Sequence, residues 1–139
     1  SEGGIDVSEN AEFMMRSGDF VTSETPHDIP LVRLKVRDLG LPDDYPTTDK
    51  IFKRAIELGL ELCPPDLGPN YRLQYKDQPM NEGLSIGMKP ITDSRGSLDV
   101  FYLVHFVDGL RLLDAWAFPR YEWRPRHGLV FGLSPRTEA

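Results

Sequence analysis

The sequence predicts a single α+β domain, in which an antiparallel, twisted sheet of about five to seven strands carries one main helix. The first observation is a pair of apolar runs, residues 98–107 and 110–118, joined by Asp108-Gly109. Because Asp-Gly tolerates the positive φ values of a tight turn, the two runs are predicted to form a β-hairpin. The second observation is that the other apolar runs are short and do not alternate with long helices, which argues against a doubly wound parallel sheet.

The domain is predicted to occupy residues 31–139, after an extended or partly mobile N-terminal segment at residues 1–30. One short helix is expected within that segment, from Ala11 to Arg16, because Ser8 can cap its first turn and Gly18 can end it. The following residues up to position 30 are rich in Thr, Ser and Pro, which is typical of an extended connector.

Leu31 to Arg37 is predicted to be the first strand of the domain, with its three basic side chains on the solvent face. After a loop, the main helix is predicted from Thr48 to Leu58, capped by Thr47 or Thr48 and ended by Gly59 in a left-handed turn. The apolar stripe expected on this helix consists of Ile51, Phe52, Ala55, Ile56 and Leu58.

Several more strands are predicted after Cys63, separated by turns rich in Pro, Gly, Asn and Asp. They are Tyr71–Tyr75, Leu84–Lys89, Val100–Val107, Leu110–Phe118 and Leu129–Leu133. The hairpin ribbon is apolar on both faces, so both faces must be covered by protein or by a ligand. A second copy of the chain could supply that cover, and a homo-oligomer is one expectation.

Charge and composition limit the function classes. The net charge of −6 argues against a mainly nucleic-acid-binding surface, although acids and bases balance in residues 51–139 and leave room for a local basic patch. Cys63 is the only cysteine, so no intrachain disulfide can form, and a reducing compartment suits it. No apolar run approaches the ~20 residues of a membrane span, and residues 1–30 lack the features of a signal peptide. A cytoplasmic protein without membrane contact is therefore predicted.

Two stretches resemble small bacterial proteins of uncharacterised function. They are residues 58–79, Leu-Gly-Leu-Glu-Leu-Cys-Pro-Pro-Asp-Leu-Gly-Pro-Asn-Tyr-Arg-Leu-Gln-Tyr-Lys-Asp-Gln-Pro, and residues 86–93, Ile-Gly-Met-Lys-Pro-Ile-Thr-Asp. The resemblance spans residues 31–133 and implies a bacterial source. It implies no reaction, and it assigns no functional residue.

Motifs that carry known chemistry are absent from the sequence. There is no glycine-rich phosphate loop, no His-Glu-x-x-His, no Cys-x-x-Cys, no Gly-x-Ser-x-Gly and no acidic calcium loop. The three histidines and one cysteine are scattered, so neither a metal site nor a cofactor is predicted. Cys63 is followed by two prolines and has no helix N-terminus to lower its pKa, which argues against a nucleophile.

His105 and Asp114 are the candidate catalytic residues. If Asp108-Gly109 forms a two-residue loop, His105 faces Leu112 and lies diagonally across from Asp114. A carboxylate beside an imidazole in apolar surroundings can set its tautomer and raise its pKa, as a general base requires. The same pair could instead have a purely structural role, and a three-residue loop with a bulge would shift the register and destroy the alignment.

The segment Pro119–His127 interleaves basic and aromatic side chains, and its candidate binding residues are Arg120, Tyr121, Trp123, Arg124, Arg126 and His127. Aromatic faces stack on bases while guanidinium groups bind phosphate. The same residue types also form hot spots in protein interfaces. The structural alternative is a surface connector whose aromatic rings fold back on the core while the arginines reach into water.

A non-catalytic binding or accessory protein is the function that the sequence favours, acting through an apolar, aromatic-lined sheet surface or cavity on a protein or small-molecule ligand. The first alternative is a small hydrolase-like enzyme that uses His105 and Asp114. The second is a protein that binds single-stranded nucleic acid through residues 120–127, which the net charge disfavours.

Overall fold

The computed structural model describes residues 4–22 and 30–133. Within these ranges the chain forms three α-helices and eight β-strands. The helices are α1 Glu9–Arg16, α2 Thr48–Glu57 and α3 Leu67–Gln74. The strands are β1 Asp6–Val7, β2 Leu31–Lys35, β3 Leu60–Glu61, β4 Gly83–Ile86, β5 Ile91–Thr92, β6 Leu98–Phe106, β7 Gly109–Trp116 and β8 Gly128–Leu133. None of the described helices has the length and apolar character that crossing a membrane requires.

All eight strands described belong to one mixed sheet with the order β1-β7-β6-β4-β8-β2, while β3 pairs with β8 and β5 pairs with β6. The pairs β1–β7 and β4–β8 are parallel, and the others are antiparallel. The mixed α and β content confirms the predicted class, but the sheet is larger than expected and partly parallel. A parallel pair is joined by a long connection instead of a tight turn, so it leaves no local signal in the sequence.

The hairpin between β6 and β7 forms, but its register differs from the prediction. Phe106 pairs with Gly109, so Val107 and Asp108 are the two turn residues, and Gly109 adopts φ 137°. His105 consequently faces Leu110 and not Leu112. A shift of two residues keeps every side chain on its predicted face, because the side-chain period of a strand is two.

Strand β6 is covered by protein on both faces, as predicted for the apolar ribbon. Phe101 and Val100, which point to opposite faces, are both fully buried. α3 packs on the first face so closely that a Cβ added to Gly68 would lie 2.8 Å from the Cβ of Phe101. On the other face, Tyr102 of β6 meets the ring of His127 with centroids 6.0 Å apart, while α2 packs on β8 through an edge-on contact of Phe52 with Phe131. The cover of β7 is less complete, since Trp116 at its end is 48% exposed.

The short N-terminal helix is confirmed. In α1 the Ser8 side chain caps the first turn by accepting a hydrogen bond from the Ala11 amide, and Ala11 and Met14 are fully buried in the main core. β1 adds a parallel strand to β7 just before this helix. Residues 4–20 therefore contribute to the same sheet and core as the later elements. Most of the predicted connector, residues 23–29, lies outside the described part of the chain.

The main helix and the strand before it largely match their predictions. β2 places Arg33 and Lys35 in solvent, and the chain then turns into a 3₁₀ helix at Val36–Leu39. α2 has Thr47 as its N-cap residue, and Gly59 follows it with φ 90°. The predicted apolar stripe is too wide, however, because Ile56 and Leu58 are 56% and 48% exposed. Ile56 lies roughly 140° around the helix from the buried Ile51, at 3.6 residues per turn.

The predicted strand Tyr71–Tyr75 is wrong, since these residues lie in α3 and at its C-terminal end. Pro69 suggested a turn, but it occupies the first turn of a helix, where the missing N–H needs no partner. The positions of Tyr71, Leu73 and Tyr75 fit the side-chain period of a strand, and those of Tyr71 and Tyr75 also fit one helical turn. In the helix, Tyr71 and Tyr75 instead stack one turn apart, with ring centroids 5.2 Å apart.

Candidate functional site

The hairpin register separates the two candidate catalytic residues. Asp114 faces Phe101, whereas His105 lies four residues further along β6, about 13 Å away at the rise of an extended strand. The Nδ1 atom of His105 lies 2.7 Å from the carbonyl oxygen of Gln78. The diagonal contact that the dyad hypothesis requires is therefore not formed, because the turn uses Val107-Asp108 and not Asp108-Gly109.

Asp114 instead meets two other aspartates, and we call the three residues the aspartate cluster. Asp93 follows β5, Asp99 belongs to β6 and Asp114 belongs to β7, with Asp99 diagonally across the ribbon from Asp114. One carboxylate oxygen of each residue lies within 4.8 Å of the other two. Asp93 and Asp99 are 1% and 0% exposed, while Asp114 is half-buried.

Hydrogen bonds orient two of these carboxylates from outside the cluster. Asp93 Oδ1 accepts from the backbone amides of Arg95 and Ser97, at 2.8 and 3.0 Å. Asp114 Oδ1 accepts from Ser8 Oγ at 2.9 Å, and its Oδ2 accepts from the side-chain amide of Asn10 at 3.3 Å.

Three buried carboxylate oxygens of the aspartate cluster accept no hydrogen bond from the described residues outside the cluster. They are Asp93 Oδ2 and both oxygens of Asp99. Buried polar atoms in native proteins nearly always have a partner, so these oxygens require an explanation. The side-chain chemistry allows two: a proton shared between neighbouring carboxyl groups, or a bound cation.

Burial dominates the electrostatics of the cluster. It raises the pKa of Asp99 to about 9, with further contributions from the hydrogen-bonding and charge of Asp114 and Asp93. Burial also acts to raise the pKa of Asp93. There, hydrogen bonds from the Asp99 carboxyl and from the amides of Arg95 and Ser97 outweigh it, and the pKa is lowered. The pKa values of these two neighbouring aspartates are therefore shifted in opposite directions.

The sequence contains a weak signal for this cluster that motif searches miss. Asp99 and Asp114 interrupt two otherwise apolar strands, and the predicted faces place both on the same side of the ribbon. The correct register would have brought them together. Asp93 could not have been added, because its approach depends on the pairing of β5 with β6.

A second candidate site lies at the C-terminal end of β7. Trp116, Phe118 and Tyr121 form a group of rings in mutual contact, which we call the aromatic surface, with centroids 5.3–6.3 Å apart. Trp116 is 48% exposed and Phe118 is 37% exposed. Ring separations in this range are typical of favourable aromatic pairs.

The predicted binding segment at residues 119–127 is divided between core and solvent. Trp123 is 2% exposed and donates its indole N–H to Thr48 Oγ1 at 2.7 Å. Tyr121 is half-buried and meets Trp123 edge-on, with centroids 6.1 Å apart. Of the predicted binding residues, the arginines at positions 120, 124 and 126 remain exposed. The residues that the sequence grouped together therefore do not form one surface.

The His127 side chain is half-buried and contacts Ser85, which the sequence did not suggest. Its Nε2 atom lies 2.7 Å from Ser85 Oγ, and its ring meets Trp123 edge-on with centroids 4.6 Å apart. A serine bonded to a histidine resembles a nucleophile and its base. Ser85 is fully buried, however, so its hydroxyl cannot reach a substrate. Burial lowers the pKa of His127, which keeps its ring neutral in a structural hydrogen bond.

Cys63 is likewise buried, and burial raises the pKa of its thiol to about 12. Such a thiol is almost never ionised at neutral pH, which fits the expected absence of a reactive cysteine.

Comparison with protein-family profiles, with curated proteins and with solved structures gave no significant match. The resemblance of residues 58–79 and 86–93 to uncharacterised bacterial proteins stays a prediction.

Proposed function

We propose that the protein is a non-catalytic binding protein whose aromatic surface docks an extended protein segment carrying acidic and apolar side chains. The observation that carries the proposal is the contact of Trp116, Phe118 and Tyr121 with one another while Trp116 and Phe118 stay open to solvent. Rigid, exposed aromatic rings supply large apolar contact areas at little cost in conformational entropy, and they dominate many interface hot spots.

The edge of the sheet beside this surface supports an extended occupant. On the outer side of β7, β1 pairs only with Arg111 and Leu112. Among the described residues, no strand accompanies β7 from Leu113 to Trp116. A peptide added at such an edge gains backbone hydrogen bonds, and its alternate side chains would reach the aromatic surface.

Local charge favours acidic side chains in the occupant. The exposed arginines at positions 120, 124 and 126 lie in the segment that carries Tyr121, and Glu122 is the acidic residue among them. The surrounding segment is therefore basic, although the whole chain carries −6. Complementary charge of this kind speeds association and selects the partner.

The positions of His105 and Trp123 in the structure favour this proposal over the alternatives. The hydrolase hypothesis required His105 beside Asp114, and the register separates them. The nucleic-acid hypothesis required aromatic faces between the arginines, but Trp123 is buried and bonded to Thr48. Stacking on bases would therefore depend on Trp116 and Phe118, which lie outside residues 119–127.

Selection from a phage-displayed library of random peptides tests the proposal. We expect enriched peptides that combine Asp or Glu with aromatic or aliphatic residues. Trp116→Ala should weaken the binding of a selected synthetic peptide about 30-fold, since truncating a hot-spot residue costs about 2 kcal/mol or more. Ile56→Ala is the matched control, because Ile56 is similarly exposed but lies on α2, outside the aromatic surface. The Ile56→Ala protein should bind the selected peptide as tightly as the wild type.

Three results would overturn the proposal. Selected peptides that bind both variants equally would place the binding site elsewhere. If the selection yields no peptide, and labelled oligothymidylate binds the wild type but not Trp116→Ala, the surface would bind single-stranded nucleic acid instead. A dimer that dissociates in Trp116→Ala, seen by sedimentation velocity, would show that a second copy covers the surface.

A further inference from the structure

We propose that Asp93, Asp99 and Asp114 bind a hard divalent cation of the Ca²⁺, Mg²⁺ or Mn²⁺ class at the junction of the β5–β6 turn with strands β6 and β7. The three carboxylates each direct an oxygen into a space where these oxygens lie within 4.8 Å of one another. Two ligand oxygens on opposite sides of Ca²⁺, each about 2.4 Å from the ion, are separated by about 4.8 Å. The spacing therefore accommodates one ion between them.

The orphaned oxygens of Asp99 point independently to a ligand. Asp99 is 0% exposed, and neither of its oxygens accepts a hydrogen bond from the described residues outside the cluster. A clustered carboxylate on a surface is hydrated and needs no ion. A carboxylate that is fully removed from water has lost that hydration, and either a proton or a cation in direct contact must replace it.

The surrounding hydrogen bonds match the outer shell of a metal site. Two amides hold Asp93 through Oδ1, while its buried Oδ2 accepts no hydrogen bond from the described residues outside the cluster. Ser8 and Asn10 each donate one hydrogen bond to Asp114, and a carboxylate oxygen can accept a second interaction. Ligand carboxylates in metal sites are fixed by such outer hydrogen bonds, which set their orientation before the ion arrives.

The donor set selects the class of ion. All three ligands are carboxylates, which suit hard cations better than the softer metals that prefer thiolate or imidazole. A divalent ion would reduce the charge of three ionised carboxylates from −3 to −1. Asp114 is half-buried, so water can complete the coordination from that side, as both Ca²⁺ and Mg²⁺ allow.

Binding at this position would join separate parts of the fold. The ligands come from the turn after β5 and from both strands of the central hairpin, while Ser8 and Asn10 connect Asp114 to α1. The unfolded chain cannot hold these groups together. The cation would therefore bind the folded state preferentially and raise its stability by mass action.

Thermal unfolding of the full chain, freed of metal by chelation and dialysis, tests the site. We expect at least one of Ca²⁺, Mg²⁺ and Mn²⁺, added separately, to raise the Tm by roughly 5–10 °C at about 100 times its Kd. Asp99→Asn keeps the side-chain shape but removes the buried ligand charge, and it should abolish the shift. Asp44→Asn alters an exposed loop carboxylate and should retain the shift.

Electron paramagnetic resonance of Mn²⁺ provides a second measurement that does not depend on unfolding. The signal of the free ion should fall when wild-type protein is added and should persist with Asp99→Asn. If Asp99→Asn does not fold, Asp114→Asn changes a half-buried ligand and should weaken Mn²⁺ binding at least tenfold.

The absence of both a Tm shift and Mn²⁺ binding in wild type would overturn the proposal and leave a shared proton as the explanation. Equal responses in wild type and the folded aspartate variants would also overturn it.

Discussion

Asp114 lies directly opposite Phe101 across the central hairpin, and this pairing places its carboxylate beside Asp99 and far from His105. The turn decides the pairing, because placing Val107 and Asp108 at its centre moves β7 by two residues along β6. A shift of two residues preserves the faces but changes every neighbour. The same side chains that suggested an imidazole–carboxylate pair therefore build a cluster of carboxylates.

The contact between Ser8 and Asp114 predicts a strong dependence of stability on one hydroxyl. Ser8 Oγ accepts from the Ala11 amide as the cap of α1 and donates to Asp114 Oδ1. Ser8→Ala should lower the free energy of unfolding by about 2–3 kcal/mol, because it removes a helix cap and a hydrogen bond to a charged group. Urea unfolding monitored by circular dichroism measures the change.

Ser17→Ala is the control for Ser8→Ala, since Ser17 ends the same helix and, among the described residues, its hydroxyl accepts a hydrogen bond only from the exposed amide of Asp19. It should change the free energy of unfolding by no more than about 0.5 kcal/mol. Similar losses in the two variants would contradict the structural role assigned to Ser8.

Arg72 is the second residue on which we expect stability to depend. It is 1% exposed, and its guanidinium donates to Gln78 Oε1 at 2.7 Å and to the carbonyl oxygen of Arg111 at 3.2 Å, with further bonds to the carbonyls of Tyr75 and Val104. Burial lowers its pKa. Arg72→Met would fill similar volume but remove the guanidinium donors from these acceptors. We expect a loss of about 3 kcal/mol in the free energy of unfolding, since each buried unsatisfied group costs about 1–3 kcal/mol.

Arg95→Met is the matched control for Arg72, because Arg95 is exposed and its substitution should cost no more than about 0.5 kcal/mol. Chemical denaturation of both variants in the same buffer gives the comparison. If Arg72→Met were as stable as wild type, the buried hydrogen bonds between α3 and the hairpin would not contribute to the fold as described.

His127 predicts how stability changes with pH. Burial lowers its pKa in the folded protein, whereas in the unfolded chain the pKa is about 6.5. As the pH falls below about 6.5, the unfolded state takes up a proton that the folded state resists. The free energy of unfolding should therefore decrease by up to about 1.4 kcal/mol per pH unit, until the pH reaches the lowered folded pKa. Above pH 6.5 both states are neutral at this position, and the contribution to stability is complete.

His127→Asn separates this effect from the titration of the carboxylates. Asparagine retains a polar partner for Ser85 but does not titrate, and the other ionisable groups are the same in both proteins. Urea unfolding at about pH 7.5 and about pH 5.5 should show a larger decrease for wild type than for the variant. Equal decreases would mean that His127 titrates normally in the folded state.

Elements with strong local signals were predicted well. α1 has its Ser8 cap, α2 has Thr47 before it and Gly59 after it, and the hairpin strands follow their apolar runs. α3 failed because Gly68-Pro69 suggested a turn and because tyrosines one helical turn apart also alternate as they would in a strand. The parallel pairing of β4 with β8 had no signal, since no turn joins these strands.

The candidate sites were harder to predict than the elements. The segment of residues 119–127 was identified as aromatic and basic, but nothing in it indicates that Trp123 bonds Thr48, 75 positions away, while Tyr121 stays half-exposed. The aspartate cluster depends on a register that two turn positions decide. Trp116 and Phe118 were counted with the buried hairpin, yet they become the exposed aromatic surface at its end.

The amino-acid sequence by itself determined most of the segments that become helices and strands, such as α1, α2 and the two hairpin strands, because hydrophobic period, caps and turn residues act over a few neighbouring positions. It also determined that both apolar faces of the hairpin ribbon would have to pack against other parts of the protein or a ligand. Only the tertiary structure decided which aspartates share a site and which aromatic rings reach solvent. These outcomes depend on contacts such as Ser8 with Asp114, 106 positions apart, and the energy of such contacts exists only after the whole sheet has assembled.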